Sequence, residues 1–244
     1  MRTLHIIMPM AGNGSRFSQS GWVTPKPLIE IGGKPLFWRS ANSLETLSQT
    51  VPTKYTFIVR KEHLRYNIEK SILSYFPQAA LYFVDLTTRG AVETCLKAES
   101  VILDEDAILV LDCDLEFKSD LFLQMILHSL NTPAEEAKGG ILLSFNSQSP
   151  KYSYAVVDGK GGVLRTAEKE VVSSHALCGA YYFCSGRSFK NVAHQLMKDV
   201  HFNKPEFYIS LLYNYLIRAG EPVRISTVNE YFSYGTPEEI GKYL

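Results

Sequence analysis

Apolar runs of strand length alternate with stretches of helical spacing through the first half of the chain. Leu4–Met8, Thr56–Val59, Leu81–Val84 and Ile108–Leu111 concentrate aliphatic and aromatic side chains without a polar face, the pattern of strands buried on both sides. Between them, apolar positions recur at helical intervals over 35–48, 61–75, 91–101 and 119–129. Such alternation predicts an α/β fold, a Rossmann-like three-layer sandwich whose mixed sheet is mostly parallel and carries helices on both faces. A site in such a fold belongs at the carboxyl ends of the strands. The second half is less regular: Gly140–Phe145, Tyr154–Val157, Val163–Arg165 and Ala180–Phe183 read as strands, and 187–198 and 206–219 as helices. Gly159 and Gly161-Gly162 mark a hairpin turn between two of those strands. With no low-complexity linker and no internal repeat, 1–244 reads as a single domain in which a further portion is inserted after about residue 140.

Composition narrows the partners more than the fold. The 244 residues carry 25 Lys+Arg against 25 Asp+Glu, so the zero formal charge gives nucleic acid no electrostatic foothold, and any basic patch is local. No apolar stretch approaches the ~20 residues of a membrane span, and Met1-Arg2-Thr3 leads directly into the first strand without a signal peptide. A cytoplasmic protein is expected. Cys95, Cys113, Cys178 and Cys184 show no Cys-x-x-Cys pair and no His at zinc spacing, and read as small buried hydrophobes. The six histidines are dispersed, and none has a neighbour that would make a nucleophile and base pair; His175 reads as packing or surface. Covalent catalysis is therefore not favoured.

The chemistry begins where the first strand ends. In Met10-Ala11-Gly12-Asn13-Gly14-Ser15-Arg16, Gly12 and Gly14 let the backbone turn tightly and bring N–H groups close to an anion. Arg16 adds a planar fork of donors, and Lys26 a point charge between Pro25 and Pro27, which restrict the backbone on either side of it. Two cations and a nest of amides suit a nucleoside triphosphate. The loop is not a Walker motif, and three residues after Gly14 stands Phe17 rather than the third Gly of a dinucleotide fingerprint. Downstream, Asp112-Cys113-Asp114 places two carboxylates on one side of a strand end, an oxygen-rich setting suited to Mg²⁺.

Gly12-Asn13-Gly14-Ser15-Arg16 followed by Pro25-Lys26 resembles the signature of the sugar-1-phosphate nucleotidylyltransferase superfamily. Similar matches run on through Pro25–Leu36, Leu109–Asp114, Glu168-Lys169-Glu170, Gly179–Phe183, Glu206–Ser210 and Gly235–Glu239, so the resemblance spans nearly the whole chain. Within that superfamily the chain looks most like small bacterial enzymes of capsule and surface-polysaccharide biosynthesis, including cytidylyltransferases. The resemblance implies transfer of NMP from an NTP to a phosphorylated acceptor, such as a sugar 1-phosphate or another small phosphorylated metabolite, with release of pyrophosphate and no enzyme nucleophile. Arg16, Lys26 and Asp114 become the catalytic residues. Arg16 and the Gly12–Ser15 amides would hold the departing phosphates, Lys26 the reacting phosphoryl group, and Asp114 the Mg²⁺, with Asp112 as a second ligand or an orienting group.

Met10, Ala11, Gly12, Asn13, Gly14, Ser15, Asp85, Thr88, Gly90, Ala91 and Asp112 are the expected nucleotide contacts. Gly90 would let the backbone approach the base, and Asp85, able only to accept hydrogen bonds, would suit a base edge carrying an amino group, which favours CTP. The expected acceptor contacts are Tyr154, Glu168, Lys169, Gly179, Tyr181, Tyr208 and Ser210, with Lys169 on the acceptor phosphate. Aromatic and hydroxyl groups together leave a sugar phosphate and a choline-like cation both open.

One departure stands out. Where many members of the superfamily carry a second metal-binding Asp, two residues before the late Gly-Thr, this chain has Ser233. A metal-dependent glycosyltransferase would share the Asp-x-Asp but has no need of the Arg16 and Lys26 pair, and a nucleotide sensor would bind without turnover. Any homo-oligomer would have to form through the surface of this one domain.

Overall fold

The computed structural model describes residues 1–243. Its strands are β1 Leu4–Met10, β2 Glu30–Ile31, β3 Lys34–Pro35, β4 Thr53–Arg60, β5 Ala80–Val84, β6 Ala107–Leu111, β7 Leu115–Lys118, β8 Gly140–Asn146, β9 Ser153–Val157, β10 Val163–Glu168, β11 His175–Phe183, β12 Val223–Thr227 and β13 Glu230–Ser233. The helices are α1 Ser15–Gln19, α2 Leu36–Asn42, α3 Glu45–Thr50, α4 Ile68–Tyr75, α5 Ala91–Leu96, α6 Asp120–Leu130, α7 Gly186–Lys198, α8 Leu212–Arg218 and α9 Pro237–Ile240. No helix among the described residues is long and apolar enough to cross a membrane.

A nine-stranded mixed sheet runs in the order β10-β9-β11-β6-β1-β4-β5, with β8 and β12 continuing beside β11. β6, β1, β4 and β5 are mutually parallel, and β11 joins them antiparallel to β6. Alternate side chains of the parallel strands enter opposite cores: Leu4, Ile6, Met8, Phe57, Leu109 and Leu111 pack on one face, Ile7, Ile58, Ile108 and Val110 on the other. Helices on both faces explain why these strands have no polar side. The chain steps from β1 outward to β4 and β5, then returns to β6 on the opposite flank of β1. The loops after β1 and β6 therefore diverge at a switch point, which opens a crevice at the strand ends.

Several boundaries differ from the sequence pattern. The segment 35–48 is two helices, with the backbone leaving the helical region at Leu44 between them; beside it the Ser43 hydroxyl accepts from the Phe117 N–H at 3.0 Å. In 61–75 a 3₁₀ run, Lys61–Tyr66, ends at left-handed Asn67 before α4 begins, and only its second half is α-helical. The stretch 206–219 is helical only from a 3₁₀ turn at Ile209 onward, and 91–101 ends as α helix at Leu96. The sequence pattern also passes over the short β7 and β13, which pair antiparallel and bring Ser233 opposite Leu115. The expected hairpin at 159–162 is present between β9 and β10.

Candidate active site

Two cavities, of about 280 and 210 Å³, open at the switch point and share Asp112 and Asp114 as a common wall. β6 ends at Leu111, so both carboxylates stand just past the strand end in the turn before β7. The first cavity lies against the loop after β1 and is lined by Met10, Gly12, Asn13, Gly14 and Lys26, together with Trp22, His63 and Tyr66. The second is lined by Arg16, Ala91, Glu168, Gly179, Tyr181 and Tyr208, and by Lys151, Tyr152, Tyr231, Ser233 and Glu239.

Lys26 ion-pairs with Asp114 across the wall, each side chain about three-quarters buried. Burial pulls the Lys26 pKa down, but the facing Asp114 carboxylate outweighs it and holds the ammonium above its ordinary value. Asp112 moves the other way. Burial first, and the negative charge of Asp114 second, push its carboxyl well above the usual carboxylate range, with Lys26 only partly opposing them. Between them, the Cys113 thiol is pushed up by burial and by Asp114 and stays protonated, which disqualifies it as a nucleophile.

Glu239, from α9, reaches into the same wall. It pairs with Lys151, and its Oε2 accepts from Ser233 Oγ at 2.8 Å and Gly235 N at 2.9 Å. Those donors and the Lys151 charge together outweigh burial and hold its carboxyl below the ordinary range. Among the described residues no group of three or more His, Cys, Asp or Glu side chains is gathered to hold a metal ion. Asp112 and Asp114 are the carboxylates common to both cavities, while Glu168 and Glu239 line the second alone and the Ser233 hydroxyl is committed to Glu239.

In the second cavity Glu168 is buried, and one of its oxygens accepts from both Ser153 Oγ and Ser210 Oγ. Lys169 holds a left-handed backbone, φ 55°, and donates to Tyr208 OH at 2.9 Å. Such a left-handed backbone is uncommon for a lysine, and Lys169 itself lines neither cavity; it reaches the second only through Tyr208. Gly179 sits at the register shift of β11 with φ 94°, where an added Cβ would lie 2.6 Å from Asp112 Oδ2. Only glycine lets the strand pass that close beneath the carboxylate.

Not every residue expected from the sequence lies in this crevice. Asp85 lines neither cavity; its exposed carboxylate pairs with Lys61 at 3.0 Å. Thr88 is also outside, hydrogen-bonded to Thr94 Oγ1 at 2.6 Å. Gly90 is required by a different neighbour, since a Cβ there would meet the Phe207 backbone nitrogen at 2.5 Å. Tyr154 is fully buried, with its hydroxyl donating to the Ser149 carbonyl at 2.7 Å, and Ser210 supports Glu168 from behind without reaching the cavity. Ala11 is buried behind the loop, and Ser15 opens α1 on the exposed side. Tyr231 and Trp22 line the cavities without having been singled out, because neither belongs to a local motif.

The family model described as nucleotidyl transferase matches residues 5–215. No curated protein matches in sequence. Among solved structures, the nucleoside-diphosphate-sugar pyrophosphorylase from Vibrio cholerae is 26% identical with a TM-score of 0.82, covering 98% of this chain and 99% of that one. A putative glucose-1-phosphate thymidylyltransferase from Bacillus anthracis, in complex with a sucrose, is 18% identical with a TM-score of 0.76 over 99% and 93% of the two chains. The inositol-1-phosphate CTP transferase from T. maritima is 14% identical with a TM-score of 0.71 over 98% and 91%. The last two are likenesses of fold.

Proposed function

We propose that this chain, which belongs to the nucleotidyl transferase family, moves a nucleoside monophosphate from an NTP to the phosphate of a small acceptor and releases pyrophosphate. The observation that carries this reading is the pair of cavities meeting at Asp112 and Asp114, with Lys26 on one side and Arg16 on the other. One cavity takes the nucleotide and the other the acceptor, so the two reacting groups meet at the shared wall. In-line attack by an acceptor phosphate oxygen on the α-phosphorus needs no enzyme nucleophile, only alignment and charge neutralisation.

Lys26 supplies a charge beside the reacting phosphoryl group and the amides of the Gly12–Ser15 loop bind the departing phosphates, while Arg16 brings its charge to the shared wall from the acceptor side and Lys169 holds the acceptor phosphate. Mg²⁺ is held through one or two carboxylates together with substrate phosphates, so Asp114 and Asp112, standing in the wall between the two cavities, fit that ion. When bound, it would neutralise charge on the phosphates.

The acceptor reading favours a hydroxylated phosphate over a choline-like cation. Lys151 covers the Tyr152 ring at 4.7 Å and Lys169 the Tyr208 ring at 4.9 Å, so both faces already carry a cation. Glu168 offers a buried acceptor for sugar hydroxyls, and the likeness to the Vibrio cholerae pyrophosphorylase points the same way. CTP is the first nucleotide to test, on the resemblance to small cytidylyltransferases alone, since Asp85 is tied to Lys61. A cytoplasmic role in supplying precursors for surface polysaccharide belongs to the same reading. The test is pyrophosphate release from CTP, UTP, dTTP, ATP and GTP, each with a panel of sugar 1-phosphates and with phosphocholine. Release with at least one sugar phosphate and not with phosphocholine is expected, and NTP binding without pyrophosphate from any pairing sinks the proposal.

A further inference from the structure

Arg60 belongs to none of the motifs above, yet it ends β4 between the ends of β1 and β5. Its strand neighbours fix that place: Met10 of β1 pairs with Val59, and Arg60 itself with Val84 at the end of β5. The guanidinium donates through Nη1 to Asn13 Oδ1 and pairs through Nη2 with Glu62 at 3.1 Å, while Nε is buried with no partner among the described residues. An unsatisfied buried donor is costly, so stability of the folded chain does not account for this placement.

From the other side, Thr87 Oγ1, in the loop after β5, donates to the same Asn13 oxygen at 2.7 Å. A guanidinium can only donate, so the atom facing it must be the carboxamide oxygen, and the Asn13 amide has one orientation. Its NH₂ group is thereby directed away from Arg60. Among the hydrogen bonds of the described residues Nδ2 donates to none, and Asn13 lines the cavity beside Lys26.

We infer that Arg60 is a positioning residue of the nucleotide loop: with Thr87 it clasps Asn13 so that the carboxamide presents its NH₂ as a donor to an acceptor atom of the bound NTP. The inference rests on the nucleotide cavity proposed above. It assigns Asn13 a side-chain role in addition to the backbone role of its loop, and it ties the loops after β1 and β5 through one amide oxygen.

Calorimetric titration of CTP, UTP, GTP, ATP and dTTP, each with magnesium, tests it on the wild-type chain and five variants. Arg60→Ala should weaken the tightest of these nucleotides roughly tenfold, and Arg60→Lys, which still donates to Oδ1, should recover most of that. Asn13→Asp keeps an acceptor for Arg60 but loses the NH₂, so it should bind at least as weakly as Arg60→Ala. In an Asn13→Ala background Arg60→Ala should add nothing further, and the acceptor KM should not move. Unchanged affinity in Arg60→Ala, the same loss with or without Asn13, or an equal rise in the acceptor KM would each overturn the inference. A wild-type chain that binds no NTP overturns it together with the proposed function. Binding without pyrophosphate release defeats the function alone, and the Arg60 comparison is still read by calorimetry.

Discussion

Asp114 holds the Lys26 ammonium charged, and removing either leaves its partner alone in a largely buried wall. Lys26→Ala should lower kcat/KM by about ten- to a hundredfold, the equivalent of losing one charged hydrogen bond of ~1.5–3 kcal/mol. Steady-state kinetics with saturating acceptor reads this, and a variant within threefold of wild type would remove Lys26 from the reaction. Lys169→Ala should act differently, raising the acceptor KM while leaving the NTP KM in place, since its Nζ reaches Tyr208 in the second cavity. At this scale the sequence was readable wherever chemistry is packed into a short run. Gly12, Asn13, Gly14, Arg16, Asp112 and Asp114 all line the crevice for that reason. Asp85, Gly90 and Tyr154 fall outside the lining of both cavities, each engaged by a distant neighbour: Lys61, the Phe207 backbone and the Ser149 carbonyl. No spacing in the chain announces such partners.

The elements show where a strand's irregularity serves the site. At the register shift in β11, Gly179 combines φ 94° with the close approach to Asp112 Oδ2. Gly179→Ala therefore meets two penalties, a strained backbone of about 1–3 kcal/mol and a displaced carboxylate. Urea unfolding should show the stability loss, and kcat should fall by more than the unfolded fraction explains; full activity in the folded variant would mean that Asp112 tolerates displacement. The sequence pattern located β11 only by its last four residues, Ala180–Phe183, because the part before the shift alternates partners between β8 and β9. Helices were harder to bound than strands. Leu44 interrupts one helix and left-handed Asn67 delays another, backbone effects one residue wide inside an otherwise apolar period.

For the whole molecule, the parallel half was legible because burial on both faces leaves strands without polar residues, whereas β12 and the β7–β13 pair are short and partly exposed. That burial also captures His5, in β1, which shares a hydrogen bond of 2.8 Å with Thr56 Oγ1. Burial, and then the nearby Lys54 charge, lower its pKa from 6.5 to about 4. Between those values the unfolded chain binds the proton and the folded chain does not, so the His5 contribution to stability falls as pH drops from about 6.5 towards 4. Integrated over the window, the loss is on the order of 3 kcal/mol. Asp112 opposes it: with its carboxyl raised in the fold, the native state takes up protons the unfolded state releases, and its contribution grows as pH falls over the same range. The wild-type profile therefore mixes two slopes of opposite sign, and only a difference isolates one. His5→Gln keeps a hydrogen-bonding group for Thr56 without an ionisable ring. Its stability relative to wild type should rise by up to about 3 kcal/mol between pH 7 and pH 4.5, read from urea midpoints at several pH values. A constant difference across that range would mean that the folded chain protonates His5 as readily as the unfolded one, with the β1–β4 layer opening enough to admit the proton.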